Sequence, residues 1–267
     1  MQNSDLTVIF DLDGTIYQNT TFHRDYIRTL VDGTERESWE RALVWLTEEI
    51  LSGRELIMNR FYRRGVLNVS SVQELAGTLR GRLCPEMGYE EALHTDGILY
   101  LGDAWAVLAL LGESIGCLQG ERSDFVYRST RESMERKGMQ GSLRLKQALT
   151  SLQQRCRVIL LSNSYEATVR EFLRQLGFDG VFREICSSAH KPFGMIESLR
   201  KLDPEVLRRP QTLLSIGDHA FNDLMPIAAV GGKTLWMNPY SGIHKPHYDW
   251  SLQTLDELAD FLDTLAM

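Results

Sequence analysis

The stretch VIFDLDGTIY, residues 8–17, decides how the rest of the chain is read. Leu6 to Phe10 form an apolar run with a β-branched centre and a turn directly behind it, the pattern of a short strand buried on both faces. Where that strand ends, Asp11 and Asp13 stand two positions apart and run into Gly14 and Thr15. Like charges that close repel and raise one another's pKa, so the placement needs a reason. Asp-Gly is ordinary turn chemistry, but a plain turn would need only Gly14. The alternative is a site in which a cation and a reacting phosphate require both carboxylates.

Further along, the same strand-then-polar pattern recurs. RVILLSNS follows the helical pattern SLRLKQALTSLQQR, in which Leu143, Leu145, Ala148, Leu149 and Leu152 recur at roughly helical spacing. The helix EATVREFLRQLGF stops at Gly177, and VFREICSS reads as the next strand. A helix around GMIESLRKL, the strand TLLSIGD, a helix in FNDLMPIAAV ended by Gly231 and Gly232, and the strand KTLWMN complete the series. Strands alternating with helices predict a mostly parallel, doubly wound α/β sheet covered on both sides. In such sheets ligands bind beyond the carboxyl ends of the strands. Asp11 and Asp13, Ser162 and Asn163, Lys191, and Asp218 all fall there.

From Gln18 to Met139 the rhythm breaks. WERALVWLTEEILS, SVQELAGTLRGRL and DAWAVLALLGESIG are helical, and no convincing strand stands among them. The expected organisation is an α/β core of residues 1–17 and 140–267 and a second, smaller, all-helical domain of residues 18–139 sitting over the site.

The composition, 43% hydrophobic and 24% charged over 267 residues, is that of a soluble globular protein with room for one large or two smaller domains. A net charge of -7 argues against nucleic acid or an anionic membrane as the main partner. Cys84, Cys117, Cys156 and Cys186 are scattered with no zinc-like spacing, which reads as reduced thiols in a cytoplasmic protein. MQNSDLTVIF lacks a basic leader and its apolar run stops at Asp11, so no signal peptide is expected. Ala104 to Leu111 is too short to span a bilayer and fits a buried helix.

Singly, these polar residues have ordinary explanations: an Asp pair as a solvated turn, a Ser after a strand as a helix N-cap, a Lys as a solvated side chain. In order, however, DLDGT, LLSN, HKPFG and GDHAFND resemble the four motifs of the haloacid dehalogenase superfamily of aspartate-nucleophile phosphatases, each in the expected strand context. The resemblance covers the residues flanking the insertion. It implies a doubly wound core, and the helical insertion resembles that family's C1-type cap.

By that resemblance, Asp11 is the nucleophile, giving one oxygen to Mg²⁺ and attacking phosphorus with the other to form an aspartyl phosphate. Asp13 is the general acid/base, and its backbone carbonyl a metal ligand. Thr15 hydrogen-bonds near Asp13. Ser162 and Asn163 correspond to the phosphate-binding loop, Lys191 offsets the phosphate charge, and Asp218 and Asp223 supply metal ligands, with Asp218 favoured as the direct one. Asn222 is read as a candidate helix cap. The cation explains the opening pair, because it relieves the repulsion between the carboxylates. Family members that cleave carbon–halogen or phosphonate bonds lack an acid/base Asp at the position of Asp13, so hydrolysis of a small phosphorylated metabolite is the expected reaction. A phosphomutase on the same core is the alternative, and a catalytically idle binding module ranks third.

The insertion carries Arg60, Arg63, Arg64, Arg122, Arg128 and Arg131, which either bind a second anionic group of the substrate or, more simply, decorate solvated helix faces. Trp39, Trp45, Trp105, Phe61, Tyr62 and Tyr100 are expected mostly in its core, while Tyr17 and Phe22 are candidates to line the entrance. His23, His94, His190, His219, His244 and His247 are read chiefly as structural or surface groups, with His190 and His219 close enough to the motifs to tune them. No code for substrate identity or oligomeric state is readable.

Overall fold

A computed structural model describes residues 5–19, 21–238 and 246–266. Strand β1 (Thr7–Phe10) opens the chain. The insertion then runs through α1 (Phe22–Val31), α2 (Glu40–Leu51), β2 (Phe61–Arg63), α3 (Val72–Arg80), α4 (Tyr89–Leu93), β3 (Ile98–Tyr100), α5 (Ala104–Ser114) and α6 (Glu121–Lys137). The α/β series resumes with α7 (Leu143–Leu152), β4 (Arg157–Leu161), α8 (Glu166–Gln175), β5 (Glu184–Cys186) and α9 (Met195–Leu202). It closes with β6 (Leu213–Gly217), α10 (Met225–Ala229), β7 (Lys233–Met237), β8 (Trp250–Leu252) and α11 (Leu255–Ala266). Two compact units result, one of residues 5–18, 138–238 and 247–266, the other built on residues 19–137.

In the first unit, the described strands form one parallel sheet of order β5-β4-β1-β6-β7-β8. β1 lies at its centre, between β4 (Val8 beside Val158) and β6 (Val8 beside Leu214). All four of its residues are buried, as a strand covered on both faces requires. On one face Ile9, Ile159, Leu161 and Leu213 pack with Met195 and Leu199 of α9 and Ile227 of α10. α7 packs against α11 with Leu145, Ala148, Leu149 and Leu152 buried on one side and Leu258, Ala259 and Leu262 on the other, each residue set recurring at helical spacing. Burying each such leucine contributes roughly 1.5–3 kcal/mol.

The second unit is helical, with one correction: Phe61–Arg63 and Ile98–Tyr100 pair as an antiparallel ribbon, with Phe61 opposite Tyr100. Three-residue strands so far apart in sequence leave no periodicity to read. α1 packs on α2, α5 and α6. α5 is the apolar helix expected at Ala104; Asp103 caps it, its carboxylate accepting the Ala106 amide at 2.6 Å. Phe61, Tyr62 and Tyr100 are buried here, whereas Trp45 is 50% exposed. No described helix is long and apolar enough to cross a membrane, and the four cysteines are free.

Candidate active site

The α/β unit brings the predicted residues together at the carboxyl ends of four adjacent strands. Asp11 follows β1, its amide bonded to Ile216 O of β6 at 3.0 Å. Ser162 follows β4, Lys191 lies beyond β5, and Asp218 follows β6. Lys191 is the hub. Its Nζ donates to Asp11 Oδ1 at 2.6 Å and to Asp223 Oδ1 at 2.7 Å, and the three side chains are 3%, 11% and 3% exposed. The Lys191 main chain is fixed in turn by Asn163, whose Oδ1 accepts the Lys191 amide at 2.6 Å while its Nδ2 donates to Lys191 O at 3.1 Å. The Asn163 amide therefore ties together the loops after β4 and β5.

Asp223 is held equally firmly. Its Oδ2 accepts the His219 amide at 3.1 Å and its own carbonyl accepts Ser215 Oγ at 2.6 Å. A β-carbon on Gly217 would lie 2.4 Å from Asp223, and one on Gly14 would lie 2.0 Å from Asp218 Oδ2. Gly14 also sits at φ +76°, so both its space and its backbone require glycine. These two glycines let the Asp218 and Asp223 carboxylates lie directly against the chain.

The electrostatics follow from burial. Desolvation pushes the Asp11 carboxyl up to about 7; Lys191 opposes this, and Asp223 and Asp13 add to it. For Lys191, burial works against the charge, but Asp11 and Asp223 outweigh it and hold the ammonium above its ordinary value. Oxygens of Asp11, Asp218 and Asp223 lie within 4.8 Å of one another, and all three residues belong to the group that could hold a metal ion. Two of these buried carboxylates share the Lys191 ammonium, and buried charges are paired or coordinate metals. The donor set is carboxylate oxygen throughout, which fits a hard divalent cation.

Asp13 is held by partners outside that cluster. Its Oδ1 accepts the Tyr17 hydroxyl and its Oδ2 accepts Ser164 Oγ at 3.3 Å. The expected Thr15 contact is corrected here: Thr15 is fully buried, and its Oγ1 has no hydrogen-bond partner among the described residues. Ser162 does not cap α8, since the cap position is Tyr165; its Oγ instead accepts the Ser164 amide at 3.1 Å. Asn222 is not the cap of its turn either. His219 is, its Nδ1 accepting the Asn222 amide at 3.2 Å.

Ser164 is a site residue that sequence reasoning missed, and Tyr17, expected at the entrance, is instead a partner of Asp13. The usable signal for Tyr17 was its position four residues after Asp13, on the same tight turn. Neither Tyr17 nor Phe22 is an open rim residue. Tyr17 is 3% exposed, its ring edge-on to Phe172 at 5.6 Å, and Phe22 stacks on Trp105 of the insertion at 4.3 Å. His190 and His247 are exposed, and His244 lies outside the described residues.

A model of the haloacid dehalogenase-like hydrolases matches residues 6–231, most of the chain. The protein belongs to that family. Among solved structures, the chain is similar to YfnB of Bacillus subtilis, assigned to the HAD-hydrolases and solved bound to magnesium, at 18% identity and TM-score 0.52 over 97% of this chain and 99% of that one. It is also similar to a HAD phosphatase from Thermococcus onnurineus (15%, TM-score 0.48, 96% and 97%). A 2-haloacid dehalogenase from Pseudomonas syringae pv. Tomato is comparably similar (14%, 0.48, 98% and 99%). Among curated proteins, none matches the sequence. The likeness to YfnB speaks for the fold, and the choice among that family's reactions rests on the residues of this chain.

Proposed function

We propose that the protein is a Mg²⁺-dependent phosphatase that hydrolyses a phosphate monoester of a small metabolite through an aspartyl phosphate on Asp11. The observation that carries this reading is the pairing of a buried strand-end carboxylate, Asp11, with a second, separately held carboxylate, Asp13, two residues on. A dehalogenating enzyme of this family has no use for Asp13.

In this reading Asp11 attacks phosphorus in line and releases the alcohol, whose oxygen takes a proton from Asp13. Asp13 then removes a proton from the water that cleaves the acyl phosphate. Lys191 keeps the Asp11 carboxylate aimed and offsets negative charge as it spreads over the phosphoryl oxygens. The Ser162 hydroxyl accepts from the Ser164 amide, which leaves its proton to donate to a phosphate oxygen. Asp11, Asp218 and the carbonyl of Asp13 would hold the cation, with Asp223, both of whose oxygens already accept hydrogen bonds, securing Lys191. When bound, Mg²⁺ neutralises the charge between the attacking carboxylate and the phosphate. The insertion takes the part of a C1-type cap, and four free thiols suit a reducing cytoplasm.

The test is product analysis. With Mg²⁺, a panel of phosphorylated metabolites should release inorganic phosphate, and EDTA should stop it. Halide released from a 2-haloacid, sugar phosphates that isomerise without releasing phosphate, or activity that survives chelation would each overturn the proposal.

A further inference from the structure

We propose that Tyr17 is a positioning residue for Asp13: its hydroxyl holds the Asp13 carboxyl in the orientation from which the proton is passed to the leaving group. The inference rests on the reading of Asp13 as general acid/base.

Three observations converge on it. The Tyr17 hydroxyl donates to Asp13 Oδ1, and the backbones of residues 13 and 17 bridge, so the turn between them closes back on itself. The Tyr17 ring is buried and packed edge-on against Phe172, a fully buried residue of α8, at 5.6 Å and 80°. A ring clamped in this way loses little further freedom when its hydroxyl makes a bond, so it can fix a partner that a solvated side chain could not. Finally, the hydroxyl nearest in sequence, that of Thr15, makes no hydrogen bond among the described residues, and the other oxygen of Asp13 has Ser164 at 3.3 Å. The two contacts anchor Asp13 from two elements, the turn after β1 and the loop after β4. An acid catalyst misdirected by a fraction of an ångström loses much of its effect.

The test uses Tyr17→Phe, which keeps the ring against Phe172 and removes only the hydroxyl. kcat/KM for an alkyl phosphate such as glycerol 2-phosphate, a poor leaving group, should fall about 10- to 100-fold, while kcat/KM for p-nitrophenyl phosphate, which reports only transfer to Asp11 from a leaving group that needs no proton, should change no more than about threefold. In an Asp13→Asn background the same substitution should cost nothing more, because Tyr17 acts only through Asp13. A purely structural role would lower both substrates alike and add to Asp13→Asn, and either result overturns the proposal. If Asp13→Asn alone leaves glycerol 2-phosphate turnover unchanged, the general-acid reading fails, and Tyr17 with it. A crystal structure of Tyr17→Phe gives a readout independent of activity: the Asp13 carboxyl should reorient, and an unmoved carboxyl overturns the assignment.

Discussion

Lys191 in the α/β unit and Arg64 in the insertion each meet a carboxylate, yet only Lys191 does so out of water. The Lys191 side chain is 3% exposed, and Arg64, paired with Glu113, is 45% exposed. The same contrast holds more widely. Arg122 caps α1, donating to the carbonyls of Thr29, Leu30 and Asp32, and Arg131 lies over the Trp105 ring at 4.4 Å. Arg60 bonds Cys84 O and Glu86. In the insertion these cations satisfy its own carbonyls, carboxylates and rings. In the α/β unit, two buried carboxylates share one buried ammonium, and a third, Asp218, lies within 4.8 Å of both. One arrangement holds a fold together, and the other is where the proposed reading puts a cation and an anion.

The sharpest way to break this contrast is Asp11→Asn. Turnover should fall by about 10⁴-fold or more, measured as phosphate release, because the amide cannot attack phosphorus. Stability should move the other way. The Asp11 carboxyl is raised to about 7 in the fold from an ordinary value near 3.8, so its ionised form is disfavoured by folding. Metal-free wild type therefore carries that penalty in full above about pH 7, and it fades as pH falls toward 4. Urea unfolding in EDTA should show Asp11→Asn more stable than wild type at pH 8 and equal to it at pH 4. An Asp11→Asn protein that is less stable at pH 8 would contradict the burial account.

Next in size is the ammonium itself. Lys191→Met removes the shared partner of two buried carboxylates and should cost about 3–5 kcal/mol of unfolding free energy, along with most activity. The matching change in the insertion, Arg64→Met, should cost no more than about 1 kcal/mol, since its pair is half open to water. Equal losses in denaturant titrations would erase the distinction between the two units.

Much of this was legible in the sequence, and the gaps have physical reasons. β1, β4, β6 and β7 are central, so their buried residues are mostly apolar and each reads as a short hydrophobic run ending at a turn. β8 is an edge strand whose Trp250 and Ser251 are exposed, and its three residues carry no such run. α6 was not anticipated because only Val126, Thr130, Arg131 and Met134 of its seventeen residues are buried, leaving no apolar stripe. At the site, residues that carry charge could be found from their order along the chain. The pairings that orient them could not: Asn163, expected in the phosphate-binding loop, bonds the main chain of Lys191, Tyr17, expected at the entrance, bonds Asp13, and His219 takes the capping role of Asn222. Those pairings depend on loop geometry, which pattern alone does not specify.

The smallest effect belongs to the insertion and sharpens the comparison through acid. Asp25 of α1 accepts Ser133 Oγ at 3.0 Å and the ammonium of Lys137, both of α6, so it joins the two helices. Burial works to raise its carboxyl, but the Lys137 and Ser133 hydrogen bonds, with the Lys137 and Arg28 charges, prevail and hold it below 3.8. A depressed carboxylate stabilises the fold above its unfolded pKa, and that contribution is lost as pH falls through the folded value. Asp25→Asn should therefore cost about 1 kcal/mol or less at pH 7, because Lys137 is 60% exposed, and nothing once Asp25 is protonated in the wild-type fold. Unfolding titrations from pH 7 down to pH 2 should show the two proteins converging as acid is added. This slope is opposite in sign to that of Asp11, whose buried carboxyl makes the fold weaker as pH rises: a carboxylate that binds helices together gains from its charge, and the one proposed as the nucleophile bears it at a cost.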